Sequence, residues 1–335
     1  MAFVWFVLAA IVTVYAAMKL STYADVISTK TAMGGLLVGT LLLAGATSLP
    51  EVTTSLSAVL IGNNDIAIGN VLGSNLFNVF ILACFDLYYR KKKLFLQASN
   101  DHLYTAGLGL LLTLLVMVAL TLRIDYTILG MGIDSILIVV IYIAGISIIG
   151  RLSKSDQSLP QAEEHVTATP AKESSEFTMS VKHAVIGFII AAIVIMGAGT
   201  VLSIMGDQIA VITGLGSSFV GSFLVAATTS LPEAVSVLVA LRLKNINLAM
   251  GSILGSNIFN MLILAGSDLI YREGAIITSV SDSHLTTAIG VTILSVIAIW
   301  AVLMKKATST FKYVLPSLLV VIVYFVSSYL IFVNS

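Results

Sequence analysis

A chain of 335 residues could hold two ordinary soluble domains, yet 58% of it is hydrophobic, only 10% is charged, and its mean hydropathy is +1.04. A soluble domain carries about a quarter of its residues as Asp, Glu, Lys or Arg, so too little charge is present to coat a water-facing surface. The 17 basic and 17 acidic residues cancel, which excludes nucleic acid as an electrostatic partner, and the single cysteine, Cys84, excludes an internal disulfide. The chain reads as an all-α polytopic membrane protein.

A bilayer-crossing helix needs about 20 mostly apolar residues. Ten such stretches follow one another: 3–20, 33–61, 66–89, 103–122, 127–150, 181–204, 208–241, 247–270, 285–304 and 313–332. The run from Phe3 to Leu20 has neither the basic start nor the small-residue cleavage site of a signal peptide, so it is the first span. With the N-terminus outside, the inner loops and helix ends hold Lys19, Lys30, Arg90, Lys91, Lys92, Lys93, Arg151, Lys154, Lys172, Lys182, Arg242, Lys244, Lys305, Lys306 and Lys312. Only Arg123 and Arg272 then lie outside, and the positive-inside rule predicts both termini on the outer face. Residues 151–182, with mixed charges, Ser/Thr and two prolines, read as a solvated cytoplasmic linker. Asp156, Glu163, Glu164, Glu173 and Glu176 fall there without an EF-hand pattern, so a calcium-regulatory reading is disfavoured.

An internal repeat recurs at an offset of 182. Residues 47–78 (TSLPEVTTSLSAVLIGNNDIAIGNVLGSNLFN) and 229–260 (TSLPEAVSVLVALRLKNINLAMGSILGSNIFN) agree at 16 of 32 positions without a gap. The register continues through Asp86/Asp268, Tyr89/Tyr271, Arg90/Arg272 and His102/His284. Five spans per half is an odd number, so the second half enters the membrane from the opposite face. The expected architecture is two inverted five-helix repeats, 1–150 and 183–335, with broken helices meeting at the midplane, as in secondary transporters.

The breaks carry the chemistry. Pro50 and Pro232 stand within the second and seventh spans, where proline removes a backbone donor and bends the helix. Glu51 and Glu233 follow directly, and a centred carboxylate disfavours insertion by roughly 2.5–3.5 kcal/mol, so intramembrane carboxylates read as functional. In the third and eighth spans Ser74 and Asn78, and likewise Ser256 and Asn260, are four apart and share a helical face. Together these make an all-oxygen cage of carboxylates, hydroxyls and amides without imidazole or thiolate, which suits hard cations. Calcium takes six to eight oxygens, and two glutamates neutralise one Ca²⁺. The same hydroxyls and carbonyls could hold Na⁺ once calcium leaves. The plain alternative is that small and hydroxylated residues only pack helices, a reading that suits the serines better than the paired glutamates.

The doubled TSLPE and GNVLGSN-type segments resemble the α-repeats of the sodium/calcium exchangers, prokaryotic-type members of the calcium/cation antiporter superfamily, across essentially the whole chain. The resemblance implies that Thr47, Ser48, Glu51, Ser74 and Asn78 of the first repeat, with Thr229, Ser230, Glu233, Ser256 and Asn260 of the second, line the ion sites. It further implies that the first and sixth spans slide across the other eight to alternate access. Two positions depart from the family pattern: Asn260 stands where well-known members carry aspartate, and Thr228 replaces a glycine before the second TSLPE.

The expected function is secondary antiport of Ca²⁺ against Na⁺ in the cell membrane. No cofactor is called for, and no phosphate-binding loop for ATP is present. The partners are the two ions and the lipid bilayer, and a monomer is one admissible state. Alternatives are a proton- or potassium-coupled calcium antiporter and, less well supported by inverted repeats, a cation channel; an enzyme is not expected. Among weaker signals, Asp86–Arg90 and Asp268–Arg272 read as i,i+4 ion pairs, with an ion-entry or proton-relay carboxylate as the sharper alternative. Asp134 reads as a hydrogen-bonded or pore-facing residue inside the fifth span, His102 and His284 as interfacial, and Cys84 as a small apolar packer.

Overall fold

The structure, a computed structural model, describes residues 1–30, 45–90, 93–156, 179–242, 244–304 and 309–334. It is a bundle of apolar helices. The helices are α1 (Ala2–Lys30), α2 (Leu49–Leu60), α3 (Asn64–Tyr88), α4 (Asp101–Leu122), α5 (Ile133–Asp156), α6 (Val181–Thr213), α7 (Ser217–Arg242), α8 (Ile246–Tyr271), α9 (Ser283–Leu303) and α10 (Thr310–Asn334). Among the described residues nine helices are long and apolar enough to cross a membrane. The tenth expected span, 33–61, lies partly outside the described residues, and α2 is its described end. Most of the expected linker, 157–178, also lies outside them, and its flanks are helical to Asp156 and from Val181.

The centre of the bundle is α3 and α8, whose apolar windows are 89% and 67% buried, against 22% for α6 and 17% for α5. The two central helices pack on each other, and each keeps equivalent company. Helix α3 meets α9 and α10, while α8 meets α4 and α5, the partners expected from a two-fold relation between the halves. The molecule is thus two inverted five-helix repeats about a shared axis. Helix α1 runs along α6, and α6 in turn packs on α2.

Two boundaries stand out against the sequence reading. Residues 127–132 do not open the fifth span: Thr127–Ile128 pairs antiparallel with Met131–Gly132 around Leu129 and Gly130, both at positive φ, and α5 starts only at Ile133. Two successive residues at positive φ make the tight hairpin turn that matches strand twist. The sixth span does not stop at 204. Asp207 and Gln208 are too few to break a helix, and α6 runs 33 residues to the left-handed cap at Gly214. At about 1.5 Å per residue it exceeds a ~30 Å hydrocarbon core, so it crosses tilted or projects beyond the bilayer.

The seventh span is irregular by design of its sequence. Val220–Val225 winds as a π-helix, a form concentrated at functional sites. It lies against α3 at glycine distance: a methyl group at Gly73 would strike the Ser222 backbone, and one at Gly221 the Ile66 backbone.

Candidate ion-binding site

The helix breaks fall two residues before the prolines in the second and seventh spans. Ser48 and Ser230 are turn residues with nearly identical backbone angles, φ −88°, ψ 7° and φ −86°, ψ 4°. The chain then re-enters a helix at Leu49 and Leu231, which leaves Pro50 and Pro232 in a first turn, where a missing N–H is harmless. Glu51 and Glu233 occupy the same first turns, at the helix end whose partial positive charge favours a carboxylate.

All ten residues named from the sequence are at most 1% exposed, and hydrogen bonds knit them across the repeats rather than within them. Ser48 Oγ donates to Glu233 Oε1 at 3.1 Å, and Ser230 Oγ donates to Glu51 Oε1 at 3.0 Å. Ser48 also reaches Ser256 Oγ at 3.4 Å, and Ser74 Oγ stands 3.5 Å from Thr229 Oγ1. Thr47 lies beside the Glu233 carboxylate as Thr229 lies beside that of Glu51. The two glutamates are near enough to repel each other.

Asn75 and Asn257 are the residues the sequence reading passed over. Asn75 Nδ2 donates to the Asn257 backbone carbonyl at 3.1 Å, and Asn257 Nδ2 returns the bond to the Asn75 carbonyl at 3.3 Å. A carbonyl only accepts, so both amides must turn their nitrogens to it. Their Oδ1 atoms then face Asn78 and Asn260, whose Nδ2 atoms donate at 2.9 Å each. Two backbone carbonyls therefore set the direction of four side-chain amides, and Asn78 and Asn260 are left with Oδ1 as the free end. The signal was present, since the same asparagine follows Ser74 and Ser256 in both repeats. Asn70 was also missed: its Nδ2 donates to Ser55 Oγ at 2.8 Å and to the Glu51 backbone carbonyl at 3.3 Å, and its Oδ1 accepts from Thr229 at 3.0 Å. Its repeat partner is Ser252, so no symmetry pointed to it.

The outcome is four buried oxygens without a donor: Glu51 Oε2, Glu233 Oε2, Asn78 Oδ1 and Asn260 Oδ1. Each such acceptor costs about 1–3 kcal/mol when neutral and more when charged. Two carboxylates and two amides, placed as symmetry mates and ringed by serine and threonine hydroxyls, present acceptors of the kind that hard cations take.

The weaker sequence signals resolve differently. Asp86 and Asp268 do not pair with Arg90 and Arg272; the side-chain ion pairs among the described residues are Arg123–Asp282 and His284–Asp65. Backbone N–H groups eight residues on claim the two carboxylates instead, Leu94 for Asp86 at 3.1 Å and Ile276 for Asp268 at 2.7 Å. A carboxylate that ends a helix and caps the next loop is held better by fixed N–H dipoles than by a long arginine. His284, in the first turn of α9, is fully buried, 3.0 Å from Asp65 Oδ1, and its repeat mate His102 stands 3.3 Å from Asn247, the mate of Asp65. Asp134 sits in the first turn of α5, at the start of the fifth span.

Known proteins resemble this chain in sequence and in fold. The sequence matches the family described as sodium/calcium exchanger protein over residues 1–150 and 183–333. It is 24% identical over 269 residues to the inner membrane protein YrbG of Escherichia coli K12, covering 79% of this chain and 78% of that one. It is 22% identical over 279 residues to the putative antiporter CaxA of Alkalimonas amylolytica, covering 76% of each. Among solved structures, the fold is similar to the H⁺/Ca²⁺ exchanger CAX, with TM-score 0.69 and 16% identity over 99% of this chain and 86% of that one. It is also similar to the sodium-calcium exchanger NCX_Mj, with TM-score 0.56 and 19% identity over 97% and 96% of the two chains. The chain belongs to the sodium/calcium exchanger protein family.

Proposed function

We propose that this protein is a secondary antiporter that exchanges Ca²⁺ for Na⁺, with Glu51 and Glu233 as the shared ligands of the divalent ion. The observation that carries the proposal is the set of four donorless oxygens, Glu51 Oε2, Glu233 Oε2, Asn78 Oδ1 and Asn260 Oδ1. Two negative charges match one Ca²⁺, and six to eight oxygens become available once the hydroxyls of Thr47, Thr229, Ser74 and Ser256 join. Na⁺ occupies the same hydroxyl and amide oxygens, with Ser48, Ser230, Asn78 and Asn260 favouring it. A site that is charge-compensated by either cation and costly when empty makes exchange, rather than leak, the low-energy cycle.

In this reading α1 and α6 slide across the other eight helices to expose the site alternately. Their close mutual packing supports this motion as a unit. The two repeats, 1–150 and 183–335, flank a cytoplasmic linker at 151–182. Both termini face outward from the cell membrane, as the cation asymmetry requires.

Relatives by fold carry either H⁺ or Na⁺ in their names, so the coupling ion rests on the site itself. Amides at 78 and 260 take no proton at physiological pH, and amide and hydroxyl oxygens are Na⁺ ligands; both facts support Na⁺. The test is ⁴⁵Ca²⁺ uptake into proteoliposomes under a Na⁺ gradient alone and a pH gradient alone. Uptake driven by Na⁺ is expected; uptake that follows only the pH gradient would overturn the assignment.

A further inference from the structure

The two-fold relation exposes one place where the halves do not match. In the first repeat Asp86 is fully satisfied: Leu94 N–H donates at 3.1 Å, Ser317 Oγ at 2.6 Å, and the Tyr313 hydroxyl shares the first carboxylate oxygen. In the second, Asp268 receives Ile276 N–H at 2.7 Å and Gly132 N–H at 2.6 Å. The position matching Tyr313 is Met131, which has no proton to give, and the position matching Pro316 is Asp134. One copy of the pocket has therefore lost a hydroxyl donor and gained a second carboxylate.

Asp134 is 8% exposed, Asp268 is fully buried, and both converge on Gly132. Asp268 holds the Gly132 N–H, while Asp134 Oδ1 lies so close over its Cα that a methyl group there would collide with it. Neither oxygen of Asp134 has a hydrogen-bond donor, and the buried Ser135 hydroxyl beside it has no partner either. The charged groups around the pocket are otherwise engaged. Arg123 donates to the Val280 carbonyl and pairs with Asp282, Arg272 donates to the Leu269 carbonyl, and Asp125 accepts from Ala275 N–H. Among the described residues no lysine or arginine pairs with Asp134 or Asp268. A cavity of about 110 Å³ between α4 and α5, walled by Leu115, Ala119, Leu137 and Ile277, leads to Asp134.

Two enclosed carboxylates that face each other without a positive group need a counter-charge from outside the chain. We propose that Asp134 and Asp268 form a second cation site, apart from the Glu51–Glu233 centre, that takes one divalent ion. Both oxygens of Asp134 are free for bidentate ligation, each Asp268 oxygen keeps a lone pair beyond its single N–H bond, and Ser135 Oγ adds a neutral ligand. Two charges and up to five oxygens, completed by water at the bundle end, suit Ca²⁺ and its flexible geometry. The site ties α5, α8 and the 127–132 hairpin together at the bundle end that the cation asymmetry assigns to the outside.

Equilibrium dialysis of the full-length detergent-solubilised protein against ⁴⁵Ca²⁺ tests this. The Glu51→Gln/Glu233→Gln double variant is expected to keep one bound Ca²⁺ per chain, and adding Asp134→Asn is expected to remove it. Asp134→Asn alone is expected to lower the wild-type count by one while Na⁺-driven ⁴⁵Ca²⁺ flux persists, which also shows that the variant folds. Should Asp134→Asn not yield folded protein, Asp268→Asn in the double variant provides the same readout. A double variant that binds no Ca²⁺ would overturn the proposal and leave a shared proton as the counter-charge; so would binding that survives Asp134→Asn. Neither result touches the central site, whose failure would instead appear as wild-type binding unchanged by Glu51→Gln.

Discussion

Ser48 and Ser230 exchange glutamates: each serine, at the break of its own repeat, donates its hydroxyl to the carboxylate of the other repeat, at 3.1 and 3.0 Å. The two acidic side chains are therefore tied into one cluster that both repeats build. The first consequence concerns symmetry of effect. Glu51→Gln and Glu233→Gln are expected to weaken Ca²⁺ binding to a similar degree, by roughly 100-fold or more, since breaking a buried charge pair costs about 3–5 kcal/mol. Elution on size exclusion should stay unchanged. ⁴⁵Ca²⁺ binding to the purified variants checks this, and a 100-fold effect from only one of them would show that the glutamates serve different ions.

The amide clamp gives a second expectation. Asn75→Leu removes the acceptor of Asn260 and the donor to the Asn257 carbonyl, and frees the Asn260 amide to turn. Losing one buried hydrogen-bond partner costs about 1–3 kcal/mol, so Ca²⁺ affinity should fall by roughly 5- to 150-fold although Asn75 is not offered as a ligand. Asn257→Leu should match it. Binding isotherms of both variants measure the effect.

Asn260→Asp asks why an amide stands where related exchangers carry an acid. An ionised carboxylate at 260 has no N–H for Asn75 Oδ1 and adds a third negative charge to the site. Protonation of the introduced carboxyl restores the donor and removes the charge. Flux by this variant is therefore expected to rise as pH falls, whereas the amide in the natural chain contributes no such dependence. Parallel flux–pH profiles of the two proteins give the comparison, and profiles that superimpose would contradict the clamp.

Gly73→Ala tests the packing that supports the site. Its methyl group would meet the Ser222 backbone, which cannot swing aside as a flexible side chain could. Overpacking of this kind costs about 1–3 kcal/mol or more, so the thermal midpoint in detergent should drop. Gly107→Ala, where an added carbon meets nothing among the described residues, should leave it unchanged.

How far the sequence carries the reader depends on the residue. The spans, the repeat and the ten buried positions that cluster between the halves were legible because burial in lipid forces long apolar runs, and because two copies of one motif at a constant offset mark equivalent places in the fold. Helix ends were not: Gly214 as the true stop of α6 and the Leu129–Gly130 turn depend on local backbone conformation, which hydropathy does not register. Asp86 and Asp268 were paired with arginines because sequence spacing shows side chains and hides backbone N–H groups. Asn75 and Asn257 escaped because their role exists only across the repeats, where each meets the main chain of the other. The asymmetry at Asp134 was visible only when the offset was carried to Pro316 and the structure showed what surrounds both.

The central claim is that one pair of carboxylates holds Ca²⁺ and Na⁺ by turns. Displacement of bound ⁴⁵Ca²⁺ by rising Na⁺, measured on the purified protein and on Glu51→Gln and Glu233→Gln, tests it most directly. The expected result is competitive displacement of one Ca²⁺ per chain in the natural protein and loss of that Na⁺-sensitive component in both variants. Failure of Na⁺ to displace any bound Ca²⁺ from the natural protein, or a Na⁺-sensitive component that survives either substitution, would contradict it.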